Sequence, residues 1–206
     1  MIDPPAPIPA PPSPAAPRAA PDIRLIAAAS IAVAVAVMGL KYVAYLRTGS
    51  VALLSDALES IVNVITAIAA LAAVHIAARP PDKSHPYGHH KIEYFSAVLE
   101  GVLIVVAAVL ILREAWTAVW QPRTIDAPVE GLLISGLATV INGGWSWYLV
   151  SRGRALMSRA IEADGWHLFT DVVTSVGVIA GLGLAALTGW PILDPLLAIA
   201  VALHIL

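Results

Sequence analysis

Two pairs of polar residues, each four positions apart, stand in stretches otherwise suited to lipid. Glu59 and Asn63 belong to Ser50-Val-Ala-Leu-Leu-Ser-Asp-Ala-Leu-Glu-Ser-Ile-Val-Asn63, and His167 and Asp171 to Glu162-Ala-Asp-Gly-Trp-His-Leu-Phe-Thr-Asp171. On a helix of about 3.6 residues per turn, that interval puts both side chains on one face, roughly one turn apart, where they can grip a single ion. A charged residue near the middle of a spanning helix costs about 2.5–3.5 kcal/mol on the insertion scale, so Glu59 and Asp171 need a partner or a purpose. Together the four residues offer two carboxylates, an amide and an imidazole from two helices, an oxygen and nitrogen shell for a borderline divalent ion. A bound dication, or protons, would remove most of the cost of placing the acids in lipid. One imidazole among oxygens suits Zn2+, and the lack of sulfur leaves Mn2+, Fe2+ and Co2+ open. The competing reading of the same spacing is helix–helix hydrogen bonding, or the lining of a water cavity that holds no ion.

Further polar residues surround these pairs. Asp56 and Asp164 each precede a pair by three residues, near the same helical face, where they could draw cations to a vestibule or serve in capping and local hydrogen bonds. Lys41, in the first apolar stretch, is a candidate counter-charge for one of the acids. Glu100 is another intramembrane acid, open to a polar helix contact or to proton traffic. The loop Pro80-Pro-Asp-Lys-Ser-His-Pro-Tyr-Gly-His-His-Lys-Ile-Glu93 sets Asp82, His85 and His89 three and four residues apart across a turn marked by Pro86 and Gly88. A bend there could join one carboxylate and two imidazoles into a second, solvent-facing metal site, with His90 as a substitute ligand; the alternative is a polar loop with solvated histidines. Gly177 and Gly181 form a G-x-x-x-G step suited to close helix packing. His75 and His204 have no spaced acidic companion and read as ordinary histidines.

The elements that must position these groups follow from composition. Of 206 residues, 59% are hydrophobic and 13% charged, against about 25% charged in soluble domains, and the mean hydropathy is +0.82. The apolar runs are too long and continuous for barrel strands, so the fold class is all-α, a polytopic membrane bundle in which helices satisfy their own backbone. Six spans are predicted, at about 24–46, 50–78, 93–119, 130–150, 161–187 and 191 to the end. The first five reach the ~20 residues needed to cross the hydrocarbon core; the sixth does not, so the sequence is expected to stop inside a helix as a truncated chain. Residues 1–21 hold nine of the sixteen prolines in a Pro/Ala alternation, the composition of a disordered, solvated cytoplasmic tail. No cysteine is present, so any metal site relies on oxygen and imidazole. Arg18, Arg24, Arg79, Lys83, Lys91, Arg152, Arg154 and Arg159 share one side if the N-terminus is inside, leaving Arg47 and Arg123 outside, with Lys41 and Arg113 near span ends. That bias predicts a cytoplasmic N-terminus, and the expected location is a bacterial plasma membrane. Trp116, Trp120, Trp145, Trp147 and Trp190 are placed as interfacial anchors.

Three segments in order, Gly49-Ser-Val-Ala-Leu-Leu-Ser-Asp-Ala-Leu-Glu59, His85-Pro-Tyr-Gly-His-His-Lys91 and Ala163-Asp-Gly-Trp-His-Leu-Phe-Thr-Asp171, resemble the cation diffusion facilitator family of divalent-metal/proton antiporters. The resemblance runs from about residue 24 to the end. It implies a six-helix membrane domain, commonly dimeric, followed in the family by a cytoplasmic metal-sensing domain that this sequence is expected to lack. It also implies a transport site shared by the second and fifth spans, on Glu59, Asn63, His167 and Asp171, and a loop site on Asp82, His85 and His89. Lys91 matches a basic residue that pairs with an acid to hold the dimer in some relatives. The family's second-span pair is usually His or Asp followed by Asp; here it is Glu followed by Asn, with one negative charge fewer.

The function these readings imply is export of a divalent cation, Zn2+ first, from the cytoplasm in exchange for protons, by alternating access around a midplane site. The alternatives are a metal-binding membrane scaffold that does not transport, and a membrane-embedded metalloenzyme. The enzyme reading lacks a His-Glu-x-x-His run.

Overall fold

A glycine in the left-handed region separates the first two helices: Gly49, at φ +64°, donates its N–H to the Tyr45 carbonyl at 2.8 Å and ends α1. The computed structural model describes residues 20–77, 88–89, 91–121, 126–156 and 158–206. It contains α1 (Ala20–Thr48), α2 (Val51–Ala77), α3 (Ile92–Trp120), α4 (Pro128–Ala155), α5 (Arg159–Thr188) and α6 (Leu193–Ile205). The Pro/Ala tail before residue 20 and the loop-site candidates Asp82 and His85 lie outside the described residues.

Local chemistry sets the other boundaries. Pro128 opens α4 at a position where its missing N–H costs nothing. Ser158 caps α5 by accepting from the Ile161 N–H. Gly189, at φ +68°, ends α5 through its N–H to the Ala185 carbonyl at 3.0 Å.

α1 packs on α2 and α4, α4 on α5, α5 on α6, and α6 on both α2 and α3. This closes a bundle in which α2 is the most enclosed of the long apolar helices. Ala44, Ala52, Leu53, Val178, Leu182 and Val201 bring α1, α2, α5 and α6 together. Val51, Ile111, Ala115, Ala118, Ala198 and Ala202 join α2, α3 and α6. Alanine makes up four of the six residues of the second cluster, as expected where helices in lipid gain from close approach rather than from expelling water. Large apolar side chains such as Val98, Val102, Val109, Leu133, Val140 and Leu184 are exposed around the perimeter.

Four helices are long and apolar enough to cross a membrane, at Ala28–Thr48, Val51–Ala73, Val98–Trp120 and Ile161–Thr188. The six predicted spans therefore all appear as helices, but α4 and α6 differ in character. α4 turns a small and polar stripe inward, with Gly131, Ser135, Thr139, Asn142, Ser146 and Gly153 buried, which lowers its hydropathy without making it a surface helix. α6 is a shorter apolar helix of thirteen residues. Trp145 also departs from the anchoring role expected of it. Its Nε1–H donates to Ser30 Oγ at 3.0 Å, its ring stacks on Tyr148, and it packs beside Ile26, Leu149 and Ile161 between α1, α4 and α5.

Candidate cation site

The residues spaced by four in α2 and in α5 face a common space. Glu59, Asn63, His167 and Asp171 all line one cavity of about 180 Å³, together with Val62, Glu100, Ile104, Ala107, Thr170, His204 and Ile205. α2 and α5 run in opposite directions, and their pairs meet at Asn63 and Asp171. The Asn63 Nδ2–H donates to Asp171 Oδ2 at 2.7 Å. Asp171 is buried, at 6% exposure; Glu59 and Asn63 are half-buried and His167 is exposed.

Glu59 gives the site an unsatisfied acceptor. Its Oε2 is buried with no hydrogen-bond partner among the described residues, a condition that costs free energy unless a cation, proton or water meets it. Among the described residues no three His, Asp or Glu side chains converge as a ready metal shell. The cavity has room for several waters. These side chains line a chamber rather than close on a point.

One turn from this chamber lies a second polar layer. Lys41 Nζ reaches Asp56 Oδ1 at 2.9 Å and donates to Ser175 Oγ at 2.9 Å, while the Ser175 hydroxyl donates to Asp56 Oδ1 at 2.7 Å. Lys41 is 2% exposed and Asp56 1%. The counter-charge expected of Lys41 is thus present, and its partner is Asp56. This acid is tied into the α1–α2–α5 contact and is not among the residues lining the chamber, so of the roles expected of it the structure shows the hydrogen-bonding one. Asp164 also lies apart: it accepts from Ser30 Oγ at 3.2 Å, at the end of the link that begins at Trp145.

The remaining sequence candidates divide. Glu100 of α3 lines the chamber. His204 of α6, read from sequence as an ordinary histidine, lines it too; no local spacing could have singled it out, because its polar neighbours in the chamber come from other helices. His89 is described, and its carbonyl accepts from the Ile92 N–H at 3.1 Å where α3 begins, but its proposed companions lie outside the described residues. Lys91 is exposed beside it. Of the G-x-x-x-G step, Gly181 is pressed against the Leu197 side chain, whereas Gly177 faces open space.

Residues 27–206 match the cation efflux transmembrane domain. The chain belongs to the cation efflux family. It is 49% identical over 183 residues to an uncharacterised transporter of Synechocystis sp., a match covering 89% of this chain and 59% of that protein. It is 32% identical over 161 residues to the metal cation efflux system protein CzcD of Cupriavidus metallidurans, covering 77% of this chain and 49% of CzcD. It is 31% identical over 161 residues to the zinc transporter ZitB of Escherichia coli, covering 77% of this chain and 50% of ZitB. The chain thus spans between about half and three-fifths of these relatives' length. Membership of the cation efflux family makes it a multi-pass integral membrane protein of a transporter family and not an enzyme. The resemblance drawn from the three sequence segments therefore holds at the level of the family.

Proposed function

We propose that this protein exports a divalent metal cation from the cytoplasm in exchange for protons, with Zn2+ as the first candidate cargo and Fe2+, Mn2+ and Co2+ as others. The observation that supports this reading is the single chamber lined by Glu59, Asn63, His167 and Asp171 from two antiparallel helices, with a buried Glu59 oxygen that lacks a partner among the described residues. Ionised Glu59 and Asp171 with neutral His167 attract a dication from the cytoplasmic side. On the opposite side protons compete for the same lone pairs and release it, so metal and protons exclude each other at these atoms. Asn63 cannot take up a proton as a carboxylate would; it orients Asp171 instead.

Zn2+ stands first because one imidazole among oxygens suits it and because the chain is similar to a zinc transporter. The distribution of Lys and Arg supports a cytoplasmic N-terminus, with residues 1–21 and the 79–92 and 151–160 connections on that side. In this reading the working unit is a homodimer, and Asp82, His85 and His89 hold a second ion at the cytoplasmic surface.

The test is flux into proteoliposomes carrying an internal Zn2+ indicator and an imposed pH difference. Uptake should follow the size of the pH gradient and fall at least about tenfold in Glu59→Ala or Asp171→Ala, a loss of roughly 1.4 kcal/mol or more at the rate-limiting step. Flux indifferent to both the gradient and the substitutions would overturn the proposal.

A further inference from the structure

The chamber is closed toward one end of the bundle. Asp56 lies three residues before Glu59 on α2, and Ser175 four past Asp171 on α5, so both are displaced from the chamber's acids in one direction, by about 4.5–6 Å. That direction leads to the end where α1 stops, α2 begins and α5 stops, and where the Asp194 carboxylate of α6 accepts from the Val51 N–H. Lys41 joins this level from α1, its ammonium 2.9 Å from Asp56 Oδ1 and 2.9 Å from Ser175 Oγ. One turn further the same three helices are sealed by apolar contact. Ala44, Leu53 and Val178 lie three residues beyond Lys41, Asp56 and Ser175 respectively, and none is more than 1% exposed. At the chamber's other end His167 and Thr170 are exposed. A cation in the chamber thus has an open side and a side barred first by an ammonium and then by an apolar plug.

Stability alone does not account for the ion pair, because a buried pair replaced by well-packed apolar residues is often no less stable. Its position gives it a further role. An ammonium held in a buried layer opposes the approach of a dication, and its hydrogen bonds tie α2 to α5, the two helices that carry the quartet, through α1. Asp56 also has a second oxygen, Oδ2, buried with no hydrogen-bond partner among the described residues, a ligand atom held out of use. We infer that Lys41, Asp56 and Ser175 form the gate on this side of the chamber: the ammonium holds α1, α2 and α5 together while the gate is shut, and opening it parts Lys41 from Asp56, whose free oxygen then meets the departing dication. Such a lock has two discrete arrangements, as alternating access requires. The inference rests on reading the chamber as part of an export route, and in that reading the gate stands on the side away from the cytoplasm.

The experiment measures Zn2+ flux into proteoliposomes and Co2+ binding to the same full-length chains in detergent. Lys41→Met with Asp56→Leu fills the layer with apolar side chains and removes both charges, so a departing dication meets no acid there. Because a neutral pair gives way to neutral residues, this double variant should bind Co2+ within about threefold of the parent. Its Zn2+ flux should fall by about tenfold or more. Ser175→Ala leaves the ion pair in place but releases α5 from it. The gate should then open more readily, and Zn2+ flux down its own gradient should rise about fivefold, the worth of one hydrogen bond. A layer that only holds the fold together would leave flux at the parent rate in both variants, and that result overturns the gate. Loss of Co2+ binding together with flux in a folded double variant overturns it as well, since the pair would then be acting on the chamber itself. Should the double variant not fold, Ser175→Ala decides alone: a rate at or below the parent's overturns the gate. If parent flux depends on Glu59 and Asp171 while both gate variants match the parent, the gate falls and the export reading stands. If the parent moves no Zn2+ at all, the export reading fails and the gate falls with it.

Discussion

Asn63 and Asp171, 108 residues apart in sequence, meet through an amide-to-carboxylate hydrogen bond of 2.7 Å. This contact fixes the level at which α2 faces α5. It also commits one carboxylate oxygen of Asp171 to a protein donor, leaving the other oxygen for a cation or proton. The pair therefore couples the packing of the bundle to the availability of ligand atoms in the chamber.

Asn63→Asp should convert that attraction into a contact between two carboxylates. Like charges at this separation in a partly buried site oppose each other unless a proton or cation lies between them. The substituted protein without metal should unfold at a lower temperature than the parent, and saturating Zn2+ should raise its midpoint by more than it raises the parent's. The measurement is thermal unfolding in detergent with and without metal. Equal metal-free midpoints and equal metal-induced shifts would show that Asn63 does not face Asp171 as described.

The Lys41–Asp56 pair yields a second prediction. Removing one member of a buried ion pair leaves the other uncompensated, at a cost of about 3–5 kcal/mol, whereas replacing both with apolar residues is often neutral. Lys41→Met should therefore destabilise strongly, and Lys41→Met combined with Asp56→Leu should recover most of the loss. The double substitution leaves Ser175 without its partners, so recovery should be incomplete. Denaturant unfolding of the two variants checks this; a double variant as unstable as the single one would contradict the pairing.

The sequence made the α2 and α5 pairs visible because helical periodicity is local: an interval of four announces a shared face whatever the helix packs against. Lys41 was legible as a counter-charge for the same reason that any intramembrane lysine needs an acid, but its choice of Asp56 depends on how α1 leans on α2. His204 was not legible as a lining residue of the chamber, because α6 meets α2 and α3 only in the fold and no interval in the chain encodes that adjacency. α4 was read correctly as a helix and incompletely as a span, since residue counting does not reveal that its Ser, Thr and Asn side chains are buried inside the bundle.

Glycine substitutions should discriminate between close helix contacts and open ones. A Cβ on Gly153 would come within 2.5 Å of the Glu162 backbone nitrogen, and one on Gly165 within 2.7 Å of the Val150 nitrogen. Both positions lock α4 against α5, and backbone cannot yield as a flexible side chain does. Gly153→Ala and Gly165→Ala should each cost about 1–3 kcal/mol, the usual penalty of overpacking. Gly177, with nothing within 4 Å of its added Cβ, should accept alanine with no loss and a small gain from helix propensity. Unfolding midpoints of the three variants, measured side by side, test the α4–α5 contact directly.

Asp194 supplies the last prediction, through a cap delivered from another helix. Its carboxylate accepts from the Ser50 hydroxyl, from the Val51 N–H at 2.7 Å and from the Ala52 N–H at 3.3 Å. It thus satisfies the N-terminus of α2 from more than 140 residues away in the chain and complements the positive end of the helix dipole. The Ser50 hydroxyl also caps locally, by accepting from the Leu53 N–H at 3.1 Å. Asp194→Ala removes an acceptor from at least two buried donors, which should cost about 2–3 kcal/mol, combining loss of a cap with loss of hydrogen bonds to a charged group. Asp194→Asn keeps an acceptor oxygen without the charge and should fall between the two. Because Glu59 lies only eight residues into α2, loosening this end should also weaken metal binding in the chamber, with Asp194→Ala affected more than Asp194→Asn. Unfolding and Co2+ titration of the two variants decide the point: a cation affinity unchanged in a destabilised Asp194→Ala protein would show that the α2 N-terminus and the chamber are mechanically independent.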